Sequence, residues 1–251
     1  MMDTLGAIIG PSIAFLLLPL IGFRNVFLVA LLPGILAILV FAIFTGEKVC
    51  RQKVEEERKL LGDIRGLPTK FKHYLLAVGV FGVGNFANTF LVLRATDALT
   101  PSLGVVVASS ISAFLYVLLN VGAAVFAYIF GSLGDKFSKK NLLALGYLIF
   151  SIYCIGFILL PPNIWIYAFL FLLAGVETGA IDATERSYAA ELLEENRRGT
   201  GFGILSTING IGDFTSSITA GILWTLISAS VAFAFGTTLA LAATAILLTR
   251  K

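Results

Sequence analysis

Three carboxylates, Glu177, Asp182 and Asp213, interrupt otherwise apolar stretches of this sequence. An acid in apolar surroundings is unfavourable unless it faces a cavity or a partner, and such groups handle protons, cations or polar solutes. Ser206, Asn209, Asp213, Ser216 and Ser217 follow one another at i, i+3, i+7, i+10 and i+11, which is one face of a helix. Facing lipid, that stripe would leave polar groups unsatisfied, so it is read as the lining of a cavity, with Asp213 binding a proton or cation. The alternative is a hydrogen-bonded helix contact in which Gly210 and Gly212 permit close approach. Glu177 has two readings as well: a protonatable coupling group, or a counter-charge to a basic partner such as Arg94. Asp182 and Arg186, four apart, can pair on one helix face and are read, with Glu185, as a gate. Asn85, Asn88, Tyr116 and Asn120 add uncharged groups that suit solute contacts or interhelical hydrogen bonds.

Other chemistries find little footing. His73 is the single histidine, so a histidine metal cluster is excluded and a Ser-His-Asp triad would have His73 alone as its base. Cys50 and Cys154 cannot build a disulfide framework. No G-x-x-x-x-G-K-[ST] run is present, so no nucleotide and no other cofactor is expected.

The elements that must carry these residues follow from the spacing of charge. The chain has 251 residues, of which 58% are hydrophobic and 13% charged, with a mean hydropathy of +0.94. A soluble chain carries about 25% charged residues. This composition excludes a disordered or nucleic-acid-binding protein. Charge-free intervals cover 4–23, 25–46, 74–93, 98–134 and 141–176, and Asp213 is the one charge between 199 and 249. The fourth interval is too long for one helix and is divided by a loop at Thr100-Pro101-Ser102. The fifth is divided by Pro161-Pro162-Asn163, and the last stretch by Ser228-Ala229-Ser230. With roughly 20 apolar residues needed per span, the pattern predicts eight helices near 3–22, 25–45, 71–95, 103–131, 140–160, 163–187, 200–226 and 229–249. A large soluble helical core would show a charged solvent face opposite the apolar one, and these eight segments lack it. A cleaved signal peptide lacks its basic leading region here. Trp165 and Tyr167 suit interfacial anchors.

Sixteen of the eighteen lysines and arginines fall on one side of this arrangement, leaving Arg24 and Arg94 on the other. The positive-inside rule then places the segment 46–72 and both termini in the cytoplasm.

The loop after the fourth span reads Gly131-Ser132-Leu133-Gly134-Asp135-Lys136-Phe137-Ser138-Lys139-Lys140. It resembles the signature cytoplasmic loop of the major facilitator superfamily (MFS), G-x-L-x-D-[RK]-x-[GS]-[RK]-[RK], with Gly131, Leu133, Asp135, Lys136, Lys139 and Lys140 matching. In physical terms the glycines would let two helix ends approach closely, and Asp135 would meet a helix N-terminus or a basic neighbour. Gly84-Asn85-Phe86 and Leu93-Arg94-Ala95 resemble the seventh helix of a prokaryotic branch of that family. Glu185-Arg186 with Arg197 to Gly203 resembles the tenth helix, the loop after it and the start of the eleventh. Asp3 to Pro11 resembles the fifth helix, although Ala14 and Phe15 depart from the small residues that follow in antiporters. A shift of 206 positions pairs Gly6 with Gly212, Ala14 with Ala220 and Phe27 with Phe233, so 3–45 and 209–249 look like equivalent hairpins.

The resemblance implies an all-α polytopic bundle of about eight helices. Residues 1–45 would be a two-helix remnant of the N-terminal half, 46–70 a cytoplasmic linker and 71–251 the six-helix C-terminal half. It implies a permease of the plasma membrane that moves a small solute by alternating access, coupled to protons or another ion. A truncated inactive fragment, or a half-transporter needing a partner chain or four further N-terminal helices, is the alternative reading. An intramembrane enzyme has His73 as its one imidazole and little else.

Overall fold

The computed structural model describes residues 2–44 and 66–249. Cys50 and most of the expected linker lie outside the described residues. Among the latter there is no strand. The helices are α1 (Met2–Phe44), α2 (Thr69–Gly84), α3 (Thr89–Leu103), α4 (Val105–Gly134), α5 (Lys139–Leu159), α6 (Ile164–Leu192), α7 (Arg198–Leu226) and α8 (Ala229–Thr249), with a short 3-10 turn at Glu195–Arg197. Backbone groups in lipid have no water to bond, and helices satisfy them internally. Thr69–Leu103, Val105–Gly134, Lys139–Leu159, Ile164–Leu192 and Ala229–Thr249 are long and apolar enough to cross a membrane. The helix α7 is as long as α6, but the polar stripe around Asp213 keeps it out of that set.

Turn chemistry sets the boundaries. Asn163 caps α6, its Oδ1 accepting from the Trp165 amide at 2.8 Å. Within α1, Gly22 has φ 72° and ψ 169°, a left-handed φ that separates two helical segments close to the expected 3–22 and 25–45. Gly104 adopts nearly the same angles, φ 76° and ψ 156°, and reverses the chain between α3 and α4.

Two expectations are corrected here. The chain does not loop at Thr100-Pro101-Ser102: α3 runs through Pro101, and the turn falls at Gly104. Hydroxyls of Thr100 and Ser102 donate to the carbonyls of Thr96 (2.7 Å) and Leu99 (3.0 Å), adding bonds in the turn where proline lacks an N–H. The expected single helix over 71–95 is broken, because α2 ends at Gly84 and α3 starts at Thr89. At the end of α2 Gly84 lies against Gly236 of α8, where a Cβ would meet Leu239 Cβ at 2.7 Å and the Gly236 carbonyl oxygen at 3.2 Å, so the chain passes too close for any side chain.

The packing order is α3 and α1 on α4, α4 on α6, α6 on α5, α5 on α8, and α8 and α7 on α2. Lipid tails are as apolar as leucine, so association between spans depends on close packing and on small residues. Gly175 and Gly179 of α6 supply it against α4, whose Gly122, Ala123 and Ala127 backbone they touch. Gly82 of α2 and Gly212 of α7 meet the same way, while Gly210 has open space beside it, so only Gly212 serves the close-packing role expected of the pair. Between α2, α5 and α8 an aromatic column fills the interior, with Phe81 stacked on Tyr147 (centroids 3.8 Å apart) and Phe157 on Phe233 (5.3 Å). Tyr167 is buried in this core against Phe157, whereas Trp165 is 82% exposed. Of the two expected anchors, only Trp165 sits where an anchor could act.

Candidate functional site

The break between α2 and α3 frees backbone groups of Asn85 to Asn88, and the polar side chains gather round it. Ser216 of the α7 stripe donates to the Asn85 carbonyl at 2.9 Å, across 131 residues of sequence. That bond satisfies a carbonyl the helix no longer uses. Ser216→Ala is therefore expected to lower stability by about 1–3 kcal/mol, the range for a buried polar group left unpaired; a thermal melt of the purified protein checks it.

Two cavities adjoin this point and share Asn85, Ile181, Asp182 and Asp213. One, of about 360 Å³, adds Asn88, Glu177, Thr178 and Ser217. The other, of about 440 Å³, adds Phe81, Glu185, Arg186 and Asn209. Four carboxylates from α6 and α7 therefore line two adjoining cavities beside a broken helix, Asp182 and Asp213 lining both. They differ in setting. Glu177 is 3% exposed, with the Thr178 hydroxyl donating to its Oε2 at 3.3 Å. Glu185 is buried, and its Oε1 accepts from Asn209 Nδ2 at 2.6 Å, which ties α6 to α7. Asp182 and Asp213 are exposed to the space. The Tyr147 hydroxyl is buried near Glu185 and Glu177 with no hydrogen-bond partner among the described residues. No cluster of His, Cys, Asp or Glu among the described residues could hold a metal.

The structure thus assembles Asp213, Glu177, Asn209, Asn85, Asn88, Asp182 and Arg186, all singled out from the sequence, around connected cavities. It does not bring Tyr116 and Asn120 there. Neither lines these cavities, and Asn120 donates to the Tyr116 carbonyl on its own helix at 2.8 Å. Ser206 is exposed and lines neither. Arg94 donates to the Phe157 carbonyl at 3.4 Å rather than meeting Glu177. Glu185, read from the sequence as part of a gate, is a buried member of the site, and Thr178 and Phe81 were missed. The spacing of Glu177, Ile181 and Glu185 at i, i+4 and i+8 already placed both acids on one helix face.

The signature loop follows the C-terminal end of α4. It closes as a tight turn, with the amides of Lys136 and Phe137 both donating to the Leu133 carbonyl at 3.0 and 2.8 Å. Lys139 pairs with Glu191 of α6 at 2.6 Å. Neither glycine of the loop makes the close approach expected of it: Gly131 has open space, and a Cβ on Gly134 would be in ordinary contact with Lys139. Asp135 is exposed at the C-terminal cap of α4. His73 donates from Nε2 to the Ile246 carbonyl at 2.7 Å, a structural bond between α2 and α8.

A helical bundle with five segments able to cross a membrane is that of a multi-pass membrane protein, here with a broken helix beside carboxylate-lined cavities. The Major Facilitator Superfamily model matches residues 76–251. The chain belongs to that superfamily. It is 31% identical over 241 residues to MJ1317 of Methanocaldococcus jannaschii, described as an uncharacterized MFS-type transporter, covering 95% of this chain and 59% of that protein. It is also 34% identical over 110 residues to YxiO of Bacillus subtilis, another uncharacterized MFS-type transporter, covering 43% of this chain and 24% of that one. The chain therefore spans little more than half the length of the first of these relatives and about a quarter of the second.

Proposed function

We propose that this chain is a secondary active transporter of the plasma membrane, moving a small solute by alternating access under the drive of a proton or another cation. The observation that supports this most is the convergence of Glu177, Asp182, Glu185 and Asp213 on the break between α2 and α3. Discontinuous helices with freed backbone groups are the usual place for solute and ion sites in transporters. Carboxylates beside them suit a cation or a proton. Asp213 is the member most open to the cavity from α7, and it is assigned the coupling step. The exposed polar face of α7 fits one wall of a path whose other wall comes from further helices, in the same polypeptide or in a partner chain. The linker and the C-terminus are assigned to the cytoplasm by their basic residues.

The test is a solute screen in efflux-deficient cells. The 251-residue chain is expressed alone and together with its flanking genomic sequence, and accumulation of organic cations, sugars and amino acids is measured with and without a proton gradient. Gradient-dependent movement of one class, abolished by Asp213→Asn at unchanged membrane abundance, is the expected result. Transport that persists in the Asn variant overturns the coupling assignment. No gradient-dependent movement of any class favours the half-transporter or fragment reading.

A further inference from the structure

A third cavity, of about 460 Å³, lies at the opposite chemical extreme from the first two. It opens where the start of α2, the start of α5, the end of α6 and the end of α8 come together, so every helix end around it belongs to the basic side of the bundle. Lys70 and His73 of α2 and Lys140 of α5 line it, and none of the described residues that line it is acidic. Glu191 of α6, beside the lining residue Leu192 in sequence, pairs with Lys139 at 2.6 Å. The His73 ring is held in place, because a carbonyl can only accept and the bond to Ile246 therefore fixes the proton on Nε2. Leu192 and Leu247 form an apolar flank, and Tyr188 adds an amphipathic edge.

From this arrangement we infer that the cavity is a binding site for the phosphate of an anionic membrane lipid. Two lysines from different helices converge on one hollow, which suits a phosphodiester better than a small dispersed charge. The apolar flank suits the glycerol and first acyl carbons that a lipid, but not a free anion, would bring. Basic pockets between spans at the cytoplasmic boundary are a recurring form of such recognition. The cavity is lined from four helices, α2, α5, α6 and α8, so an occupant would brace the end of the bundle that carries the signature loop. The inference is independent of the solute reading, since no residue of the acidic cavities takes part.

The experiment uses the purified 251-residue chain in nonionic detergent, with dioleoylphosphatidylglycerol, dioleoylphosphatidylcholine or inorganic phosphate added, and reads bound lipid by native mass spectrometry. Phosphatidylglycerol is expected to bind in preference to phosphatidylcholine. Its affinity is expected to fall about thirtyfold in Lys70→Gln/Lys140→Gln, since each lysine near a headgroup contributes about a factor of five. Lys136→Gln removes a charge from the same end but not from the cavity, and is expected to leave binding unchanged. Lys70 is exposed, so Lys70→Gln alone, with an expected loss of about fivefold, keeps the test should the double variant fail to fold. Retention of lipid by the lysine variants, equal loss in Lys136→Gln, or displacement by inorganic phosphate at matched concentration would each overturn the assignment.

Discussion

Replacing Gly179 by leucine is expected to abolish recovery of the folded bundle. A Cβ at Gly179 would stand 2.6 Å from the Ala123 carbonyl oxygen and 2.6 Å from the Ala127 amide nitrogen. At Gly175, one turn earlier, it would stand 2.4 Å from the Leu119 carbonyl oxygen. These neighbours are backbone, not flexible side-chain ends, so α4 and α6 must move apart to admit even a methyl group. Overpacking in a core costs about 1–3 kcal/mol where side chains can adjust, and here they cannot, so a loss of about 3 kcal/mol or more is expected. The crossing also carries the site, because Glu177 and Asp182 lie on α6 beside these glycines. Fluorescence-detected size exclusion of the Gly179→Leu and Gly175→Leu proteins should show aggregate in place of the wild-type peak. Gly203→Ala is the control: a Cβ there meets nothing within 4 Å, and the change should gain up to about 1 kcal/mol of helix propensity. A well-folded Gly179→Leu protein would mean that α4 and α6 do not cross as described.

Glu177→Gln is expected to separate stability from activity. The side chain is 3% exposed, and its one hydrogen bond from a described residue is the Thr178 hydroxyl at 3.3 Å. A charged carboxylate with so little compensation is unfavourable in an apolar bundle, and the amide of the same shape removes that penalty. The melting temperature should therefore stay level or rise, while gradient-driven accumulation falls to the passive leak. Glu177→Asp, which keeps the acid and shortens its reach, should retain a measurable fraction of transport. A fall in melting temperature together with activity would make Glu177 a structural member of the bundle instead. Lost transport at preserved stability is the signature of a group kept for chemistry.

Much of this was legible in the residues themselves. Charge-free intervals located the helices from α4 to α8 to within a few residues at most ends, since lipid imposes both their length and their composition. The spacing of Asn209, Asp213, Ser216 and Ser217 marked the face of α7 that lines the cavities or touches the break. The loop from Gly131 to Lys140 marked the superfamily by its residues alone. The misreadings share a cause. Tyr116 and Asn120 look like cavity residues by type, yet Asn120 bonds its own helix. Tyr167 looks like an anchor, yet it is core. Type and spacing tell which residues share a face, and say nothing of which neighbour that face meets.

The class of protein, the order of its helices and the basic side of the bundle follow from sequence alone, because each is a local property of composition along the chain. The site was decided by tertiary structure. Asn209 reaches Glu185 across 24 residues and Ser216 reaches Asn85 across 131, and no periodicity within a single helix encodes either contact. The break at Asn85 to Asn88 belongs with them. Gly84 must fit against Gly236 on a distant helix, and the backbone freed beside that contact is what the acids of α6 and the stripe of α7 surround.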